Sequence, residues 1–304
     1  MPDDLFHDIS PSRVLREIAA ALPAQCREHV IIIGSLAAGH HYYGDEPGMQ
    51  VRTKDADCLL APRSIAVAQA REVTNDLLAH GWFRVLNEGL VPGTATTPPG
   101  RLPVIRLRPH PDHPWFIELL TSTNDEDGRE FLPVETADGY YSLASFPYLS
   151  LTAYVASDFA GIKVAKPSML ALVNLLNHQV LTEATMSAPM GGRQLLRCSK
   201  DLGRVLAIAF LQLRRDPNEG VEPWTDEWID GLRACHPLSA SRLAQGAGNG
   251  LRALLESRDH LGEAHHSCIH GLLMNFRNEV TPDALATVGR ILIRDVIEPV
   301  ARRL

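Results

Sequence analysis

The chain has 304 residues, with 29 Lys and Arg against 36 Asp and Glu for a formal net charge of −7, and it is 45% hydrophobic and 21% charged. That length supplies two hydrophobic cores rather than one, and the balance is that of a globular protein, which excludes the disordered classes. No apolar run is long enough to span a bilayer, which excludes a membrane partner of that kind. The negative charge counts against a whole-surface nucleic-acid binder and suits a small-molecule substrate; Arg193, Arg197, Lys200 and Arg204 are the candidates for a local basic patch. Five cysteines without a Cys-x-x-Cys spacing fit a reducing compartment and not a zinc ribbon. The start, Met1-Pro2-Asp3-Asp4, lacks a basic-then-apolar leader, so the expected location is cytoplasmic.

In chain order, Ser10-Pro11 followed by Val14, Leu15, Ile18 and Leu22 spells an amphipathic helix with Ser10 as its cap and Pro23 at its end. The β-branched run at 29–33 reads as a buried strand, and residues 35–41 begin a second helix. His40-His41-Tyr42-Tyr43-Gly44-Asp45-Glu46-Pro47-Gly48 reads as an inserted loop, whose rings either stack on a base or pack as a turn. Residues 57–60 continue a strand that Pro62 ends. Ser64 then caps a helix carrying Ile65, Ala68, Val73, Leu77 and Leu78, which Gly81 stops. Strands of a mixed sheet follow at 82–86, 103–107 and 115–120, separated by a Pro/Gly/Thr-rich loop at 91–100 and by His110-Pro111-Asp112-His113-Pro114.

From Pro167 the pattern turns helical. Met169, Leu170, Leu172, Val173, Leu175 and Leu176 form one apolar segment; Leu195, Leu196, Leu202, Val205, Leu206, Ile208 and Leu211 form a second. Leu272, Leu273, Leu285, Val288, Ile291, Ile293, Val296 and Ile297 populate later helices. The expected fold is α+β, with a catalytic mixed-sheet domain over 1–160 and a helical domain over 161–304 that closes a cleft.

The chemistry concentrates early. Gly34-Ser35 ends an apolar strand, and Asp55-Ala56-Asp57 opens another. A strand has a side-chain period of two, so Asp55 and Asp57 share a face, where their repulsion is relieved by a hard cation such as Mg²⁺ or Mn²⁺. A Gly-Ser turn lets backbone amides and a hydroxyl approach a polyphosphate. The ordinary alternative is a pair of surface aspartates beside an ordinary turn.

The order strand, Gly34-Ser35, helix, then Arg52-Thr53-Lys54-Asp55-Ala56-Asp57-Cys58-Leu59-Leu60 resembles the DNA polymerase β-type nucleotidyltransferase superfamily, and most of all its bacterial AbiEii-type toxin branch. The resemblance implies a nucleotidyltransferase-type sheet domain in which Asp55, Asp57 and a third carboxylate, Glu118 in Trp115-Phe116-Ile117-Glu118-Leu119-Leu120, bind Mg²⁺ and catalyse. It implies that Gly34 and Ser35 contact the triphosphate, and it matches Lys200-Asp201-Leu202 to a helix near the nucleotide. Asn174 stands where that branch carries a substrate-facing lysine, a role left to Lys163 or Lys166, and Gly203 and Arg204 do not supply the usual second acid. The implied reaction transfers a nucleoside monophosphate from a nucleoside triphosphate to RNA such as tRNA, to a protein hydroxyl or to a small molecule. In the toxin branch a cognate antitoxin is the implied partner. The rival expectation is a non-catalytic regulator of the same descent that binds a nucleotide or a protein. His266 and His270 share a helical face four residues apart, but a histidine-rich helix without metal is the ordinary reading. No Gly-x-Ser-x-Gly or Walker pattern occurs.

Overall fold

The computed structural model describes residues 6–86, 90–123, 128 and 130–304; Met1, Pro2, Asp3 and Asp4 lie outside them. The architecture is α+β, a mixed sheet followed by helices. Its sheet-forming part runs β1 (His7–Ile9), α1 (Pro11–Ala21), β2 (Val30–Ile32), α2 (Gly34–Tyr43), β3 (Val51–Thr53), β4 (Asp55–Leu60), α3 (Arg63–Ala79), β5 (Phe83–Arg84), β6 (Arg106–Arg108), β7 (Phe116–Ser122), β8 (Glu130–Thr136), β9 (Gly139–Phe146), α4 (Ser150–Tyr154), β10 (Ser157–Phe159) and β11 (Ile162–Val164). The remainder holds α5 (Pro167–Asn177), α6 (Arg197–Arg215), α7 (Trp224–Cys235), α8 (Ala240–Gly246), α9 (Asn249–Glu256), α10 (Arg258–Ile269), α11 (Pro282–Leu292) and α12 (Glu298–Arg303), with a π-helical turn at Ile293–Ile297.

The chain divides into two compact units. One holds residues 12–36 and 53–165; the other holds the chain up to Pro11, residues 37–52, and everything from Lys166. In the first, the main sheet has the order β10-β11-β2-β4-β7-β6-β5, with β9 paired to β7 and β8 to β9. β2 is antiparallel to β4, β4 parallel to β7, and β6 antiparallel to the first half of β7 while β9 runs parallel to its second half. Val30, Ile32, Ala56, Cys58, Leu60, Ile117 and Leu119 are all fully buried, as strands enclosed in the middle of a sheet require. α3 packs against β4, β7 and β8 through Ala66, Ala70, Val73 and Leu77.

Several expectations shift. α3 opens at Arg63, because Pro62 in extended conformation takes the cap position, and Ser64 therefore lies inside the first turn rather than capping it. Gly81, at φ +84°, does terminate it. The stretch read as an inserted loop remains helical through Tyr43. That side chain is buried and its hydroxyl donates to the Leu272 carbonyl, so the aromatic residues gain more from a packed helix end than from an open loop. The β8–β9 hairpin, absent from the sequence reading, is signalled by Asp138-Gly139 between two β-rich runs. Leu195 and Leu196 precede α6, and Leu272 and Leu273 lie in a turn after α10.

In the second unit, α6 packs on α5 and α10. Gly203 makes the α6–α10 approach possible: a Cβ there would lie 2.5 Å from Ser267 Oγ and 2.8 Å from the Ala264 carbonyl oxygen. Cys268 Sγ donates to the Gly203 carbonyl at 3.0 Å. An acidic side chain at 203 has no room. In the first turn of α5, the Ser168 carbonyl accepts from the buried Trp228 indole at 3.0 Å. All five cysteines are thiols, and four are buried. Among the described residues no helix is long and apolar enough to cross a membrane.

Candidate functional site

The sheet register assembles most of the expected site. Asp57 on β4 is the direct partner of Glu118 on β7, and Asp55 is the partner of Phe116. Register partners project to the same face, as do residues two apart on one strand, so Asp55, Asp57 and Glu118 line one face. On β4 this face alternates with buried Ala56 and Cys58. Burial, with Asp57 beside it, pushes the Cys58 thiol up, so it stays protonated and unreactive on the opposite face.

The turn after β2 closes on the same point. Gly34 has φ +74°, and a Cβ there would stand 2.6 Å from Asp57 Oδ2. Only glycine lets the backbone adopt this left-handed conformation with a carboxylate that close. The Ile33 amide donates to the Asp57 carbonyl at 3.0 Å, which pins the turn to β4. From Gly34 α2 departs, so its N-terminal amides begin beside the Asp57 carboxylate, with Ser35 half-buried in the first turn.

Two residues that the sequence reading did not single out hold these carboxylates. The Thr53 hydroxyl lies 3.0 Å from the Asp55 carbonyl oxygen and 3.3 Å from Asp55 Oδ1, fixing the entry to β4. Arg106, on β6, is the register partner of Glu118, and its Nε donates to Glu118 Oε2 at 2.5 Å. Thr53 was visible as a hydroxyl before an acid. Arg106 was visible only as a charged residue inside an apolar run, since register is not written in sequence.

Lys166 and Lys200 belong to the other unit, and each has a carboxylate partner there. Lys166 Nζ lies 2.9 Å from Glu227 Oε1 at the start of α5, and Ser168 also donates to Glu227. Lys200 Nζ lies 3.0 Å from Asp201 Oδ1, while His178 Nε2 is 2.9 Å from Oδ2 and Arg204 is 3.8 Å away. Burial alone would raise the Asp201 carboxyl; Lys200, the His178 hydrogen bond and Arg204 outweigh it and hold it well below the usual range. Two members of the expected basic patch, Lys200 and Arg204, are therefore committed to a carboxylate. At the end of α2, the Tyr42 hydroxyl donates to Gln212 and Arg215 donates to the His41 carbonyl, a packed arrangement rather than an open stacking surface. The rings of His266 and His270 lie 4.3 Å apart, and His266 Nε2 is 2.9 Å from the Met190 carbonyl.

As a cation site, the Asp55 and Asp57 pair fits a hard divalent ion by its chemistry, two carboxylates on one face. Glu118 is already engaged by arginine. Among the described residues no three His, Cys, Asp or Glu side chains gather as a metal-binding group. Comparison with protein-family models, curated proteins and solved structures found no match to the chain.

Proposed function

We propose that the protein is a nucleotidyltransferase of the polymerase β type, which moves a nucleoside monophosphate from a nucleoside triphosphate to an acceptor hydroxyl. The single observation carrying this reading is the convergence on Asp57: Asp55 on the same strand face, Glu118 in register with it, and Gly34 opening α2 within van der Waals reach of its carboxylate. Asp55 and Asp57 would hold Mg²⁺ or Mn²⁺. When bound, that cation neutralises charge on the triphosphate and lowers the pKa of the acceptor hydroxyl. The chain's own part is positioning. Gly34 and Ser35 present the first amides of α2 to the phosphates, where the helix dipole favours anions. One α-phosphorus–oxygen bond forms to the acceptor, whose proton passes to solvent, and the bond to the leaving pyrophosphate breaks. Lys166 and Lys200 are the proposed further phosphate contacts. The acceptor is an RNA such as tRNA, a protein hydroxyl or a small molecule, and a toxin role with a cognate antitoxin, in the cytoplasm, belongs to the same proposal.

A regulator without catalysis is the second reading, and the Arg106–Glu118 pair favours it, because a carboxylate already neutralised by arginine is withdrawn from a three-ligand set. Calorimetric titration of the four ribonucleoside triphosphates, with and without Mg²⁺, tests the transferase site against a regulator that binds only a protein. Metal-dependent binding by the native protein that vanishes in the Asp55→Asn/Asp57→Asn variant is the expected result. A folded native sample that binds no nucleotide supports the regulator. Lys166→Ala and Lys200→Ala, titrated alongside, test whether either side chain contributes to triphosphate affinity.

A further inference from the structure

Three neighbouring strands put Asp57, Glu118 and Arg106 in one row of the sheet, partner beside partner. Strands lie about 4.8 Å apart, so the arginine Cα stands about 10 Å from that of Asp57, well within the reach of the two side chains across Glu118. The Glu118 side chain is only 10% exposed and that of Arg106 only 20%. The guanidinium also lies over the Phe116 ring, 5.5 Å from its centroid. Phe116 is the register partner of Asp55. Arg106 therefore leans along β7 from the Asp57 row toward the Asp55 row, with its charge half withdrawn from water.

An arginine is never deprotonated in a protein, so its charge there is permanent. Glu118 is paired with Arg106, and Asp55 and Asp57 together carry two negative charges, which a single divalent cation balances. A second such ion would leave this pair of aspartates with two uncompensated positive charges, which a partly buried site disfavours. Building on the nucleotidyltransferase reading, we infer that Arg106 is a positioning residue that takes the place of a second metal ion. It keeps Glu118 out of the metal set, so that the face takes one divalent cation, on Asp55 and Asp57.

Titration with Mn²⁺, followed by the paramagnetic resonance of the free ion, tests this without a substrate. The native protein should bind one Mn²⁺ per chain, and Asp57→Asn should lose it. Glu118→Gln, which leaves the Arg106 charge unpaired, should weaken binding about tenfold without abolishing it, whereas Arg106→Gln, which releases a full carboxylate, should tighten binding about tenfold or admit a second ion. The double variant Arg106→Gln/Glu118→Gln should return to one ion at native affinity. Loss of Mn²⁺ by Glu118→Gln to the same degree as by Asp57→Asn overturns the inference while leaving the transferase reading intact. Absence of Mn²⁺ binding by both the native protein and Arg106→Gln removes the transferase reading and the inference with it. Metal-free melting guards against misfolding: Arg106→Gln should melt lower than the double variant, because it strands Glu118. Equal melting of the two also overturns the inference.

Discussion

Gly34 is the residue at which backbone geometry and site chemistry coincide. Its φ is +74°, and a Cβ added there would come within 2.6 Å of Asp57 Oδ2, so Gly34→Ala both strains the turn and displaces the carboxylate. Left-handed backbone costs an L-residue roughly 1–2 kcal/mol, so urea unfolding should show a loss of that order, with triphosphate affinity falling further than stability alone explains. Thr53→Val should act more gently. It removes a hydroxyl that holds Asp55 and should weaken cation binding a few-fold in the same Mn²⁺ titration, for a stability loss of about 1 kcal/mol. Gly34, Asp55 and Asp57 were legible as candidates in the sequence, because a glycine after an apolar run and acids at strand spacing have local signatures, whereas Glu118 was reached only through the family resemblance. Arg106 was not, because its role depends on which residue of β7 it faces.

At the scale of elements, α6 carries the sharpest consequence. Asp201 is surrounded by His178, Lys200 and Arg204, so Asp201→Ala strands the Lys200 and Arg204 charges and leaves the His178 ring without this hydrogen bond, and should cost about 3 kcal/mol in denaturant unfolding. The sign of its pH dependence follows from its depressed carboxyl pKa. Its contribution is fully present above the unfolded value of about 3.9 and is lost as pH falls below it toward the folded value. The native protein should therefore lose stability more steeply than Asp201→Asn as pH is lowered from about 5 to 2, measured by urea midpoints at each pH. Gly203 sits two residues on, where a Cβ would meet Ser267 and Ala264 of α10. Gly203→Ala should cost roughly 1–3 kcal/mol by overpacking, read as a lower thermal midpoint of the helical signal. The apolar periodicity of α5, α6 and α11 was plain in the sequence, but the closeness of α6 to α10 was not, since a glycine in a helix reads as a weakness until its neighbour is known.

At the scale of the whole molecule, the unit that contains the helices is not a contiguous stretch. Residues 37–52 belong to it, through the Tyr43 hydroxyl on the Leu272 carbonyl and the paired hydrogen bonds of Gln50 with Asn275. A fragment of residues 161–304 should therefore unfold at lower temperature and less cooperatively than the same unit in the full chain, by circular dichroism. Adding a peptide of residues 37–52 should raise the midpoint. Sequence by itself determined the α+β class, the change to helices at Pro167 and the pair of aspartates on one strand face, because hydrophobic period and strand alternation are local. Only the tertiary structure decided that Glu118 lies beside Asp57, that Arg106 neutralises it, and that residues 37–52 join the helical unit. Those are matters of register and packing between segments far apart in the chain, where no local pattern carries the information.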